Sequence, residues 1–224
     1  KRVIPTPGTA LVMNPFDKNA LEAALRLKDM CGCKVTALAM GPPDAEDVLR
    51  LAMAMGADEG VLLEDGSVGD FDSFSTAYLL TETIKHTGGA DLILCGREAG
   101  DWNSAQVGFG IAELLGLPGI SLVKHLALVG SGLRVERVVP NGFEVVEVAL
   151  PTLLTVTNEL GNPRYPTVPG IMAAKRKKLT VLRIPDIGID DAKLASHSSR
   201  LKLIDLSIPV HENLCHIFKA VTPE

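Results

Sequence analysis

Asp101, Asn103, Ser104 and Gln106 fall within six consecutive residues of the stretch GREAGDWNSAQVG, residues 96–108. Together they offer a carboxylate, two amides and a hydroxyl, a set able to hydrogen-bond a ribose or a phosphate. Gly96, Gly100 and Gly108 let the backbone approach a ligand closely. The sole tryptophan, Trp102, offers a stacking face. Arg97, Glu98, Ala99, Ala105 and Val107 complete the segment. An apolar run, ADLILC, precedes it and a helical-looking run, VGFGIAELLG, follows. Helix-starting amides around Ser104–Val107 can therefore donate to a phosphate at the positive end of the helix. The other reading is an ordinary strand-to-helix turn, and the bare pattern leaves both open.

Asn14, Pro15, Phe16 and Asp17 form a second candidate, a helix start whose free amides can also face a phosphate. Phe16 reads equally as a packing residue. The basic run KRKK, 175–178, is either a solvated face or a docking patch. HENLCH near the C-terminus misses the zinc-protease spacing, because His216 stands five residues after His211 where the motif requires four. No GxSxG, no P-loop and no assignable pair of acid–base carboxylates occurs. The sequence proposes no catalytic side chain and no metal site.

The elements around these candidates alternate. MNPFDKNALEAALRLKDMCG predicts a helix with Asn14 as its cap, Pro15 in the first turn and Gly32 closing it. KVTALAM predicts a strand stopped by GPP, with Met40 at its end. DAEDVLRLAMAMG is a helix, GVLLE a strand, FSTAYLLTETIKHTGG a helix and ADLILCG a strand; a helix over about 104–116 follows. Short apolar strands alternating with helices predict βαβ units around a parallel sheet, whose ligand loops gather along one edge. GLRVERVVPNGFEVVEVALP predicts an antiparallel hairpin about PNG, and TLLTVT one more strand. NELGNPRYPTVPGIMAAKRKKL reads as irregular and exposed. The last 45 residues have weak periodicity and read as an extended arm lying on a partner chain.

With 224 residues, 46% hydrophobic, 22% charged and only 4% aromatic, the core must be built from Ala, Leu, Val and Ile. A net charge of −5 argues against general nucleic-acid binding. No apolar run reaches the roughly 18 residues of a membrane helix, and no secretory signal opens the chain. Four cysteines without a CxxC or a paired framework suit a reducing, cytoplasmic compartment.

Four segments, taken in order, resemble one family, the β subunit of electron-transfer flavoproteins. They are MNPFDKNALEAALRLKD, ALAMGPPDAEDVLRLAMAMGADEGVLLED, DLILCGREAGDWNSAQVG and NELGNPRYPTVPGIMAAKRKK. The resemblance covers roughly residues 11–190. It implies an α/β fold: a doubly wound, mostly parallel, Rossmann-like sheet that binds an adenine nucleotide, with a hairpin extension and a C-terminal arm. In domain terms this is a nucleotide-binding domain, 1–180, containing a partner-recognition loop, 158–178, and an arm, 181–224, packing on an α subunit.

The family's α subunit carries the redox-active FAD, while the β pocket holds AMP in ordinary members and a second FAD in electron-bifurcating members. The implied nucleotide contacts are Asn14, Pro15, Phe16, Asp17, Met40 and the segment Gly96–Val107, with Phe16 nearest the α-subunit flavin and Trp102 at the rim. The implied docking residues are Arg164, Tyr165, Pro166, Val168, Pro169, Ile171 and Met172, with Val168 as the apolar anchor. Implied partners are the α subunit, acyl-CoA dehydrogenases and a quinone oxidoreductase; a eukaryotic member would sit in the mitochondrial matrix.

The chain departs from the family in three ways. Only nine residues separate KRVI from Asn14, so the family's leading strand and part of a loop are expected to be missing. GDWNSAQVG replaces the more usual IDxDxxQ. AQVG is nearer to bifurcating members than the NQTG of ordinary ones.

Overall fold

The computed structural model describes residues 10–65, 71–197, 200, 201 and 204. The elements below belong to one unit, Ala10–Arg200. Helix α1 (Pro15–Cys31) is followed by β1 (Thr36–Gly41), α2 (Ala45–Met55), β2 (Glu59–Glu64), α3 (Ser73–His86), β3 (Leu92–Gly96) and α4 (Val107–Leu115). Strands β4 (Gly119–Val129), β5 (Gly132–Val139), β6 (Gly142–Ala149) and β7 (Thr152–Val156) come next. Helix α5 (Val168–Ala174), β8 (Leu179–Leu182) and α6 (Asp191–Ser196) complete the series, with 3-10 turns at Asn158–Leu160 and Ile184–Ile187.

The architecture is α/β with mostly parallel pairing, as the sequence predicts. The strands form two groups, a three-stranded sheet in the order β1-β2-β8 and a five-stranded sheet in the order β3-β7-β4-β5-β6. Every pair in the first is parallel. In the second, β3 and β4 flank β7 in parallel, and β4-β5-β6 is the antiparallel extension. The central strands β2 and β7 are nearly continuous apolar runs and are buried along their length, as sheets covered on both faces require. The edge strands β1 and β3 are about as apolar but only half-buried.

Helix α1 joins the two groups. Leu21 and Leu25 pack with Met53 and Ala52 of α2, while Ala20 and Ala23 pack with Val156 of β7 and Leu160. The small residues on the second face let the helix lie close to the sheet. Its first turn then reaches the C-terminal end of β3.

Several expectations need correction. Helix α4 begins at Val107, so Ser104, Ala105 and Gln106 are loop. Strand β4 goes unpredicted because its two halves do different jobs. Residues 119–123 pair in parallel with β7, and 123–129 pair antiparallel with β5. The chain switches partners at a bulge where Leu122 takes a φ of 58°. The supposedly irregular segment contains α5, capped by Thr167, whose Oγ1 accepts from Gly170 N at 3.1 Å. Finally, part of the segment expected as an arm, 181–224, packs on the domain. Leu182 belongs to a strand paired with β2, and Ile184, Ile187 and Ile189 are buried against Leu63 and Leu79. Of residues beyond 200 only Leu201 and Ile204 are described, and HENLCH lies outside the described residues.

Candidate functional site

Asn14 holds the N-cap position of α1, but its side chain makes no capping bond. Its side chain turns instead to the loop after β3: Nδ2 donates to the Glu98 carbonyl at 2.8 Å, and Oδ1 accepts from Gly100 N at 3.2 Å. Asp17 does the same for Gly96, its Oδ1 accepting from the main-chain N at 2.6 Å. Asp17 Oδ2 accepts from Asn14 Nδ2 at 2.8 Å, which locks the two side chains together. The start of α1 and residues 96–100 are thereby stitched into one body. Gly96 is required for this approach. A Cβ there would stand 2.7 Å from Phe16 Cβ and 2.8 Å from Asp17 N, closer than real contacts allow.

Arg97 lies with its guanidinium carbon 4.9 Å from the centre of the Phe16 ring, a cation–π contact. Its Nε also donates to Glu98 Oε1 at 2.8 Å, so the charge is partly balanced. Beyond Gly100 the loop turns twice through left-handed backbone, at Asn103 (φ 50°) and Ala105 (φ 54°). For alanine this conformation is strained by roughly 1–2 kcal/mol. Trp102 is 60% exposed at the crest, its N donating to Asp101 Oδ1 at 2.9 Å. Helix α4 then starts without a side-chain cap from Gln106, which leaves first-turn amides available to an anion.

Between this loop, α4 and the β4 bulge lies a cleft of about 390 Å³, lined by Arg97, Glu98, Ala105, Phe109, Ser121, Leu122 and Thr155. That volume is at the lower end of the range for small-molecule sites. Sequence reasoning missed Phe109, Ser121, Leu122 and Thr155. The bulge that aims Ser121 and Leu122 has no marker in ISLVKH, and Thr155 sits unannounced in an apolar strand. Thr155 Oγ1 accepts from Leu122 N at 3.2 Å and so braces the bulge. Arg137 Nη2 donates to Ser121 Oγ at 2.9 Å.

The amino-acid sequence matches the electron transfer flavoprotein domain over residues 3–187. The electron transfer flavoprotein subunit beta of Thermoanaerobacterium thermosaccharolyticum is 42% identical, the match covering 94% of this chain and 81% of that one. The chain belongs to the electron transfer flavoprotein β-subunit family. The caffeyl-CoA reductase-Etf complex subunit CarD of Acetobacterium woodii is 43% identical over 81% of this chain and 70% of its own. The acryloyl-CoA reductase electron transfer subunit gamma of Anaerotignum propionicum is 43% identical over 77% of this chain and 66% of its own.

Within this electron transfer flavoprotein fold, the expected contact residues separate into three places. Asn14, Phe16 and Asp17 meet Gly96–Gly100 as described, with Pro15 in the first turn of α1. Met40 is near the end of β1, its side chain packed toward the Leu63 and Leu79 cluster. The remaining residues, Asp101–Gln106, are the outer part of the loop before Val107. Cys95 lies in β3, just below the site. Burial, with the Asp17 charge adding to it, pushes its thiol up to about 12.

The expected docking residues form an exposed ridge that meets α1 further along, at Lys18, Glu22 and Asp29. Tyr165 is 83% exposed, Val168 75%, Met172 59% and Ile171 45%, while Pro166 and Pro169 stiffen the path between them. Arg164 is not free for a partner: it is bound to Glu22 and Asp29. KRKK also divides. Lys177 Nζ donates to the Met53 and Ala57 carbonyls at 2.9 and 2.6 Å, holding the end of α2, whereas Lys175, Arg176 and Lys178 are exposed. Among the described residues no cluster of His, Cys, Asp and Glu suits a metal ion, and no helix is long and apolar enough to cross a membrane.

Proposed function

We propose that this chain is the β half of a heterodimer with an electron transfer flavoprotein α subunit. In this reading the complex relays electrons from acyl-CoA dehydrogenases to a quinone reductase or another acceptor. The chain's role is to hold AMP, to wall the FAD carried mainly by the α subunit, and to present a docking surface.

The observation that carries this reading is the stitched junction of α1 and residues 96–100. A nucleotide site needs main-chain donors fixed before the ligand arrives. Here Asn14 and Asp17 spend their side chains on Gly96 N, Gly100 N and the Glu98 carbonyl, which orders the loop that leads to the free amides of α4, so their contribution to a ligand is indirect. The uncapped amides at Val107 and beyond fit a phosphate, and Trp102 and the cleft fit the more apolar parts of a nucleotide. Phe16, backed by Arg97, offers a flat apolar face. Bound FAD supplies reversible electron storage; no side chain of this chain needs to transfer a proton or form a covalent bond.

A second reading is favoured by the two 43% identical relatives named for caffeyl-CoA and acryloyl-CoA reductases, and by AQVG at 105–108. In it the β pocket holds a second FAD, and NADH is donor or acceptor. The test is to purify the chain with its α partner, denature the complex and quantify released nucleotides. One FAD and one AMP per heterodimer supports the first reading. Two FAD with little AMP supports the second, and failure to recover an α partner or any nucleotide overturns both.

A further inference from the structure

The ridge Arg164–Met172 is fastened at both ends and left free in the middle. At its far end Arg50 Nη1 donates to the carbonyls of Ala174 at 3.0 Å and Lys177 at 3.2 Å. Gly170 lies so close to the Ala54 carbonyl that a Cβ would collide with it. At its near end the fastening converges on one carboxylate. Glu22 Oε2 accepts from Arg164 N and from Arg164 Nε, both at 3.0 Å. Glu22 Oε1 accepts from Arg26 Nε at 3.0 Å and, at 3.4 Å, from Arg164 Nη2. The Glu22 side chain is only 6% exposed.

We propose that Glu22 is a positioning residue for partner docking, acting through Arg164 on the apolar ridge; this rests on the docking reading of residues 164–172. Glu22 grips the main chain as well as the guanidinium. An accepted bond from Arg164 N fixes the backbone immediately before Tyr165. Pro163 and Pro166 limit rotation on either side, so the fixed point is transmitted to Tyr165 and Val168. Lys18 Nζ, 5.4 Å from the centre of the Tyr165 ring, adds a second contact from the same helix. A small apolar contact gains affinity mainly by being ordered in advance, since a loose segment must give up its freedom on binding. Asp29 Oδ2, which accepts from Arg164 Nη2 at 2.7 Å at the exposed edge, can hold the guanidinium but not the main chain.

The experiment compares Glu22→Gln, Arg164→Lys and Val168→Ser in the copurified heterodimer. The electron donor is a purified short-chain acyl-CoA dehydrogenase reduced by butyryl-CoA. For Glu22→Gln the KM for the heterodimer should rise about tenfold while kcat and nucleotide content stay within about twofold. Arg164→Lys should give a smaller rise in KM. Val168→Ser should raise KM without touching Glu22. If Val168→Ser raises KM and Glu22→Gln does not, the positioning role is overturned while docking stands. If neither moves KM, the docking reading itself fails. A parallel loss of kcat and nucleotide content in Glu22→Gln would show a merely structural carboxylate and overturn the proposal. Should Glu22→Gln fail to fold, Glu22→Asp, whose shorter side chain draws the carboxylate away from Arg164 N, takes its place, and an unchanged KM there would overturn the proposal equally.

Discussion

The loop at 96–106 and the ridge at 164–172 are both tied to α1, and they are tied in opposite senses. In the loop, α1 side chains hold main-chain atoms of Gly96, Glu98 and Gly100, leaving an arginine, a tryptophan and helix-starting amides to face a ligand. In the ridge, Glu22 consumes the arginine and leaves apolar side chains facing outward. The difference follows from what each surface would recognise. A nucleotide is read by fixed donors around a cleft, whereas a transient protein contact needs ordered apolar area with a polar rim. One helix serves both because its two ends and its polar face are distinct surfaces.

The sharpest way to break this comparison is at Gly96, where loop and helix nearly touch. Gly96→Val places atoms against the Asp17 main chain, which cannot rotate away. Overpacking of this kind costs about 3 kcal/mol. Thermal unfolding should move down accordingly, and nucleotide content of the heterodimer should fall below detection, while the ridge keeps its protection from hydrogen exchange. Wild-type nucleotide content in this variant would remove the stitched junction as the basis of the site.

Asp17→Ala tests the stitches with less disturbance. It removes the acceptor for Gly96 N and the partner of Asn14 Nδ2. Because Asp17 is exposed, the cost in stability should be no more than about 1 kcal/mol. Nucleotide retention should nevertheless fall several-fold, and Asn14→Ala should add little on top, since both serve one network. Additive losses would mean that each residue meets the ligand separately.

How much of this was legible in the sequence differs between the two regions. The loop announced itself as a candidate, although glycines and polar residues between a strand and a helix also suit an ordinary turn. Its depth did not: the cleft is completed by Ser121 and Leu122, which a β-bulge turns inward, and a bulge is a register event with no residue signature of its own. Likewise, Asn14 carries every mark of a helix cap, and only the long-range neighbours Glu98 and Gly100 explain why it serves elsewhere. The exposed ridge reads as irregular because its prolines break periodicity, although Pro169 is admissible in the first turn of α5. Lys177 looked like its basic neighbours until α2 supplied two carbonyls for it.

Acid should separate the two attachments more gently. Burial pushes the Glu22 carboxyl up, but hydrogen bonds from Arg164 and Arg26 overcome this and hold it below the ordinary glutamate range. The unfolded chain therefore binds the proton more readily than the folded one. The stabilisation is fully present above the ordinary glutamate pKa of about 4.3 and is lost as the pH falls through the lower folded value. Hydrogen exchange of residues 162–168 should accelerate in that window. In Glu22→Gln the segment should exchange faster at neutral pH and lose that added pH dependence. An unchanged profile would show that the prolines alone hold the ridge.

The smallest effect is expected at Trp102. With 60% of its surface in solvent it buries too little to support the fold, so Trp102→Ala should change stability by less than about 0.5 kcal/mol. If the ring stacks on a nucleotide at the rim, nucleotide dissociation from the heterodimer should quicken by up to about tenfold, toward the lower end of base–aromatic stacking energies. Trp102→Phe should restore most of the loss, since a smaller ring keeps a stacking face, whereas Trp102→Leu should not. Equal behaviour of Phe and Leu would assign the position to apolar cover alone, and no change in any variant would leave the crest of the loop outside the site, with recognition confined to Gly96–Gly100 and the start of α4.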